Sequence, residues 1–220
     1  MDDLASMRHN ERRRIERGGK TAMRRCKWAG SRELYVQYHD EEWGVPQFDD
    51  GVLFEFLTLE AAQAGLQWYL ILSRREAYRQ AFADFQPEVV ARYGEEDVAR
   101  LLAPDSGIIR NRAKVEAAIH NARVFLEVQA AHGSFARWLW GFVDGKPEVH
   151  AFAREEDVPA TSPLAERVSR EMRSLGFRFV GPVMVYAYLQ AVGVVLDHVV
   201  TCFRYEPLRA LAESLGHDAR

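Results

Sequence analysis

The sequence predicts an all-α fold, and three observations lead there. From Asp49 onward apolar residues recur three and four positions apart, with no sustained alternation of period two. Helix caps and stops punctuate these stretches, most clearly Thr161-Ser162-Pro163 as a start and Gly176 as an end. With 220 residues and 48% hydrophobic content, the chain is long enough for one sizeable core, or for two small helical lobes sharing a cleft.

Taken in order, Asp49 or Asp50 caps a helix running to about Leu66, where Gly65 weakens it. A second helix continues through Phe82, and Pro87 opens a short third. Further helices are expected over 95–102, 109–131, 134–142, from Pro163 to Gly176, and over 182–191. The stretch 143–160, with Gly145, Pro147 and Pro159, reads as an irregular connection. The segment ahead of Asp49 reads as poorly helical, and that after Pro207 as an exposed or frayed helix. The expected organisation is a basic extension over 1–24, one domain over 25–206 and a tail over 207–220.

Residues 180–196 form the most apolar stretch, but Gly181, Pro182, Gln190 and Gly193 interrupt it and it runs into Asp197 and His198. That pattern suits a buried helix and not a membrane span. The N-terminus is charged and lacks an apolar signal core, so a cytoplasmic protein without a membrane association is expected. Net charge is −3, yet residues 1–27 hold nine basic residues against four acidic ones. A basic arm ahead of an acidic body can track phosphates, or it can be a solvated tail. No obligate protein partner is evident.

The chain has two cysteines, Cys26 and Cys202, near opposite ends. His198 and Cys202 are four apart, so on a helix they project from one face and can grip a common ion. Cys26 and His39 supply two further ligands for a tetrahedral Cys₂His₂ site. A closed four-ligand site of this kind would be structural, because catalytic zinc keeps a position open for water. It would clip the N-terminal segment to the C-terminal end.

Residues 28–69 are dense in aromatic rings with polar handles: Trp28, Tyr35, Tyr38, Trp43, Trp68 and Tyr69. Each can simply fill the core. Glu60 shares a helix face with Leu53, Phe56, Leu57 and Ala64, and that face should be inside. A carboxylate there is either a satisfied structural acid or a functional one. Beside aromatic rings it is a reasonable receptor for a flat, positively charged alkylated purine. Residues 95–123 suggest a helix-hairpin-helix, with Pro104, Asp105, Ser106 and Gly107 in the turn and Ile109 opening the second helix. Such a turn aims backbone N–H groups at a phosphate, with Arg110, Arg112 or Lys114 adding charge, although an ordinary helical hairpin looks the same in sequence.

Six blocks occur in order: RCKW from Arg25, LYVQYHDEEWGVP from Leu34, LFEFLTLEAAQAGLQW from Leu53, SGIIRNRAKVEAAIHNA from Ser106, LGFRFVG from Leu175 and DHVVTC from Asp197. Together they resemble the DNA-3-methyladenine glycosylase I family, over about residues 25–205. The resemblance implies a two-lobed helical fold of the helix-hairpin-helix glycosylase class. It also implies a structural zinc held by Cys26, His39, His198 and Cys202, and a lesion pocket built on Glu60, Tyr38 and Trp68 with Trp28, Tyr35 and Trp43 nearby. The implied activity is hydrolysis of the N-glycosidic bond of 3-methyladenine in alkylated double-stranded DNA, by base flipping and without strand cleavage, in a family that lacks the catalytic aspartate of its wider superfamily. Where the family usually reads LEGQQAGLSW, this chain has Ala61, Ala62 and Gln67. That departure keeps two alternatives in view: a glycosylase for another small alkylated base, and a non-catalytic zinc-stabilised module that binds damaged DNA.

Overall fold

The computed structural model describes residues 23–215. Most of the basic extension, residues 1–22, and the last five residues lie outside that range. The described chain is built from helices around a central helix, Asp50–Gln63. Asp49 caps it by accepting the Val52 N–H at 3.0 Å, which satisfies one of the four N–H groups a helix start leaves unpaired. Every residue from Leu53 to Ala62 is buried, so this helix has no solvent face. Asp50, in its first turn, reaches sideways and accepts the N–H groups of Phe135 and Ala136 at 2.8 and 2.7 Å. One carboxylate thereby fixes where the helix Phe135–Trp140 starts.

The central helix ends at Gln63, earlier than Gly65, whose φ of +78° already lies in the left-handed region. Lys114 supplies what the last turn lacks: its Nζ donates to the carbonyls of Ala62 at 2.8 Å and Ala64 at 2.6 Å. The following stretch is two short helices, Trp68–Leu72 and Arg75–Ala81, and not one. The long helix is Arg112–His132, starting three residues later than the periodicity suggests because Asn111 caps it, its side chain accepting the Lys114 N–H at 3.2 Å. Ile109 and Arg110 consequently lie in the connection.

Pro163–Ser174 and Pro182–Ala191 pack against each other as a hairpin. Ser162 and Pro163 start the first of them as the sequence signals, with Ser162 Oγ accepting the Ala165 N–H at 3.1 Å. Its turn is clamped by Asn121, which exchanges two hydrogen bonds with the Arg178 backbone, and by Ser169, which donates to the Val180 carbonyl. Between those clamps Phe179 is held at φ +58°, a conformation that persists only where its surroundings over-determine it.

Three features depart from the expected elements. The N-terminal segment, expected to be poorly helical, contains the helix Glu33–Glu41. The stretch 143–160 contains Glu148–Val149, which pairs in parallel with Val195–Leu196. The segment beyond residue 206 continues the helix Tyr205–Leu215, with Leu208 and Ala212 buried, so the packed part extends past the expected boundary. The buried residues form one large contiguous core, with a small satellite at Cys26, Val199 and Cys202. Among the described residues no helix is long and apolar enough to cross a membrane.

Candidate functional site

Cys26, His39, His198 and Cys202 are all buried, and their ligand atoms lie within 4.8 Å of one another. The Cys26 and Cys202 sulfurs stand 3.5 and 3.4 Å from His198 Nδ1, and Cys202 Sγ is 3.4 Å from His39 Nε2. Ligands at about 2.3 Å (sulfur) and about 2.0–2.1 Å (nitrogen) from a tetrahedral centre would be separated by about 3.5 Å, so the donor set fits one small ion. The outer partners fix which nitrogen faces inward. His39 Nδ1 meets Asp40 at 2.7 Å, Asp40 being clamped by Arg25, and His198 Nε2 donates to the Trp43 carbonyl at 3.0 Å. The hydrogen bond from Cys26, followed by those to the two imidazoles, pulls the Cys202 thiol far below its usual value.

Two glycines let the loop after Trp43 dock here. A Cβ on Gly44 would stand 3.2 Å from the His198 ring, and one on Gly193 only 2.4 Å from the Val45–Pro46 backbone. Both glycines have positive φ, +79° and +70°, so neither position tolerates a side chain.

Beside this cluster lies a cavity of about 460 Å³, within the size range of small-molecule sites. Glu60, Tyr38, Trp68, Trp28, Tyr35 and Trp43 all line it. Trp28 is the hub of the rings, 5.8 Å from Tyr35 and 5.0 Å from Trp43, with Tyr38 in turn 5.6 Å from Trp68. The helix Glu33–Glu41 places Tyr35 and Tyr38 on this wall and His39 in the metal cluster.

Three polar side chains of the cavity lack hydrogen-bond partners among the described residues. Glu60 is 5% exposed and makes no hydrogen bond or ion pair among the described residues, and burial raises its pKa from 4.5 to about 8. The Tyr38 hydroxyl also has no hydrogen-bond partner among the described residues, and burial, followed by the neighbouring Glu60, raises its pKa well above the ordinary value. The Trp68 indole N–H is buried and unpaired. Buried polar atoms are nearly always satisfied; the Trp68 N–H is not, and the Glu60 carboxyl and Tyr38 hydroxyl beside it have no protein hydrogen-bond partner among the described residues.

Sequence reasoning missed two further carboxylates on this lining, Glu155 and Asp197. Glu155 accepts the backbone N–H groups of Lys27 and Trp28, pinning the Trp28 wall. Asp197 accepts from Tyr186, Gln190 and His150. The Asp197 hydrogen bond raises the pKa of His150. Among the described residues no lysine or arginine lines the cavity, so its field favours a cation. Of the three departures from the family pattern, Ala61 and Ala62 are buried in the helix, while Gln67 is exposed on the neighbouring groove beyond Trp68; none lines the cavity.

The hairpin residues are placed less as expected. Gly107, at φ +74°, accepts Arg74 Nη1 through its carbonyl at 2.9 Å, and the Ile109 N–H donates to the Tyr78 hydroxyl at 3.3 Å. Arg112 pairs with Glu95 and Glu116, and Lys114 is occupied by the helix end already described. Arg110 alone is exposed with no side-chain partner among the described residues.

These features define a mainly helical protein with an acidic, aromatic-lined cavity beside four clustered cysteine and histidine side chains that could hold a metal ion. The model of the methyladenine glycosylase family matches residues 28–205. The chain is 43% identical to DNA-3-methyladenine glycosylase 1 of Escherichia coli (strain K12), over 83% of this chain and 97% of that one. It is 39% identical to DNA-3-methyladenine glycosylase of Haemophilus influenzae, over 81% and 96%. Among solved structures, 3-methyladenine DNA glycosylase I of Staphylococcus aureus, described for its recognition of 3-methyladenine, superposes with a TM-score of 0.80 at 37% identity, covering 84% of this chain and 97% of that one. The chain belongs to the methyladenine glycosylase family.

Proposed function

We propose that the protein is a DNA glycosylase that extrudes 3-methyladenine from alkylated duplex and hydrolyses its N-glycosidic bond without cutting the strand. The observation that carries this reading is the unpaired Glu60 carboxyl facing a cavity with Tyr38 and Trp68. Leaving such a group unsatisfied costs stability unless a ligand supplies the missing partners. An alkylated adenine does so: its exocyclic amine donates to Glu60, its positive charge suits an acidic, aromatic cavity, and its ring acceptors suit the Trp68 and Tyr38 donors.

Alkylation already makes the base a good leaving group, so binding and charge placement carry most of the work. Water forms a bond to C1′ as the C1′–N9 bond breaks; the bonding pair leaves with the base, which departs neutral. Among the described residues no lysine lines the cavity, in keeping with release of the base to leave an intact abasic strand.

Zinc is the ion this donor set suits, and it would serve as a structural tie. The tie spans 172 positions between Cys26 and His198, and closing a loop of that order is worth roughly 5 kcal/mol. Chelation should lower the melting temperature by about 10–20 °C, read by thermal unfolding with metal analysis. For DNA contact we assign the Gly107 backbone N–H together with Arg110 to a phosphate, while the Ile109 N–H, Arg112 and Lys114 are held by protein partners. Incubation with methylated DNA and analysis of the released bases tests the activity. Release of 3-methyladenine is expected; release of 7-methylguanine alone would overturn the substrate.

A further inference from the structure

Three of the rings that wall the cavity belong to a second space as well. Trp28, Tyr35 and Trp68 also line an open groove of about 610 Å³, together with Arg32, Gln67 and Tyr69. Arg32 stands just ahead of the helix Glu33–Glu41, and its guanidinium lies over the Tyr69 ring, 4.3 Å from the centroid. Tyr69 in turn meets Tyr35 edge-on at 5.2 Å, so the guanidinium is two ring contacts away from the cavity wall.

Stacking uses the face of a guanidinium and leaves the donors on its edge free. Other arginines give those donors to carboxylates: Arg25 to Asp40, Arg75 to Glu55 and Glu42, Arg112 to Glu95 and Glu116. Arg32 is exposed and has no hydrogen-bond or ion-pair partner among the described residues, and the exposed Gln67 amide on the same groove has none either. Arg32 is also the one charged residue in the described lining of the groove. The two spaces therefore differ in sign. Glu60 and Glu155 line the cavity, with no lysine or arginine among the described residues, whereas the groove carries a lone cation. An alkylated nucleotide divides in the same way, into a cationic ring and the anionic phosphates of its strand.

We propose that the groove beyond Trp68 is a phosphate subsite for the strand that delivers the lesion: Arg32, held flat on Tyr69, takes a backbone phosphate next to the extruded nucleotide, and Gln67 adds an amide donor. This rests on the glycosylase reading. The base occupies the cavity and its backbone runs along the groove, with the three shared rings between them. A guanidinium already seated on a ring loses little freedom when the phosphate arrives. A phosphate contact positions the strand without reading its sequence. Arg32 therefore sets how firmly the duplex is held, not how fast the glycosidic bond breaks.

Binding of a duplex carrying a stable abasic-site analogue, followed by fluorescence anisotropy over a range of salt concentrations on the metal-loaded protein, tests this. Arg32→Ala should lower affinity about tenfold at low salt and reduce the slope of log affinity against log salt by about one. Single-turnover excision at saturating protein, and affinity for free 3-methyladenine, should each change less than about twofold. Arg32→Lys, which keeps the charge, should recover the salt slope and part of the affinity. Arg170→Ala removes an exposed, unpartnered charge from the helix Pro163–Ser174 and should leave affinity and slope unchanged. Unchanged affinity and slope in Arg32→Ala overturn the proposal, as does an equal loss in Arg170→Ala, which marks general attraction between the protein and DNA. Loss of free-base affinity in step with DNA binding marks a structural role for Arg32 and overturns it too. If the unaltered protein releases no 3-methyladenine from methylated DNA while Arg32 still sets the salt slope, it is the glycosylase reading that has failed and the phosphate subsite stands.

Discussion

Glu55 and Glu60 lie five residues apart on the same helix, and both are buried, yet one is surrounded by cations and the other by nothing that can answer it. Glu55 takes Arg75 Nε at 2.7 Å and Arg79 Nη2 at 2.8 Å, and Arg75 also bonds Glu42 at the end of the helix carrying Tyr38 and His39. Glu60 faces the cavity alone. Burial by itself therefore does not distinguish a working acid from a supporting one on a helix that is inside on every side. The accounting of partners does.

The comparison can be broken most forcefully at Glu55. Glu55→Gln leaves two arginines without their carboxylate and should cost about 3 kcal/mol, lowering the melting temperature by roughly 6–12 °C, with base excision per folded molecule retained. A melt unchanged by that substitution would remove the contrast. Glu60→Gln should do the reverse and reduce excision by about 10²-fold in a kinetic assay, with metal content unchanged. Its stability should follow pH in a defined way. Between the unfolded pKa of 4.5 and the folded value of about 8, the native protein keeps a proton that the unfolded chain has released. The native protein with Glu60 therefore loses stability as pH rises through that window, whereas Glu60→Gln does not. Parallel melts at pH 5 and pH 8 should show the variant gaining on the native protein at the higher pH. The smallest effect belongs to Trp68→Phe, which keeps a stacking ring but removes the unpaired N–H. A loss near 1 kcal/mol in 3-methyladenine affinity, about fivefold, is expected by calorimetry.

The comparison also shows how much of the site was legible in the sequence. The four cysteine and histidine residues that could hold a metal and the six cavity residues stood in recognisable blocks, and the structure gathers each set. Placing Glu60 on one apolar face understated its surroundings, because the helix is buried all round and Glu55 is buried with it. The helix Glu33–Glu41 was missed: its N-cap, Arg32, makes no side-chain capping bond, and tertiary packing of Tyr38 and His39 overrides a weak local signal. Lys114 sits where a phosphate-binding cation would, but it answers carbonyls 52 and 50 positions away. Asp197 and His150 are joined by a two-residue ladder, too short to leave any periodicity to read.

The cysteine and histidine cluster has a consequence for the order in which the molecule comes into being. Trp28 and Tyr38 come from one end of the chain, Asp197 and Gln190 from the other, and the cavity exists only where they meet. Contacts that span most of the sequence are the slowest to form, because the intervening chain must first give up its freedom. In refolding from denaturant, helical signal should return well before the ability to bind 3-methyladenine, and the delay should lengthen when metal is withheld. Competence to recognise a lesion would then be the last property the folding chain acquires, arriving when its two ends are joined.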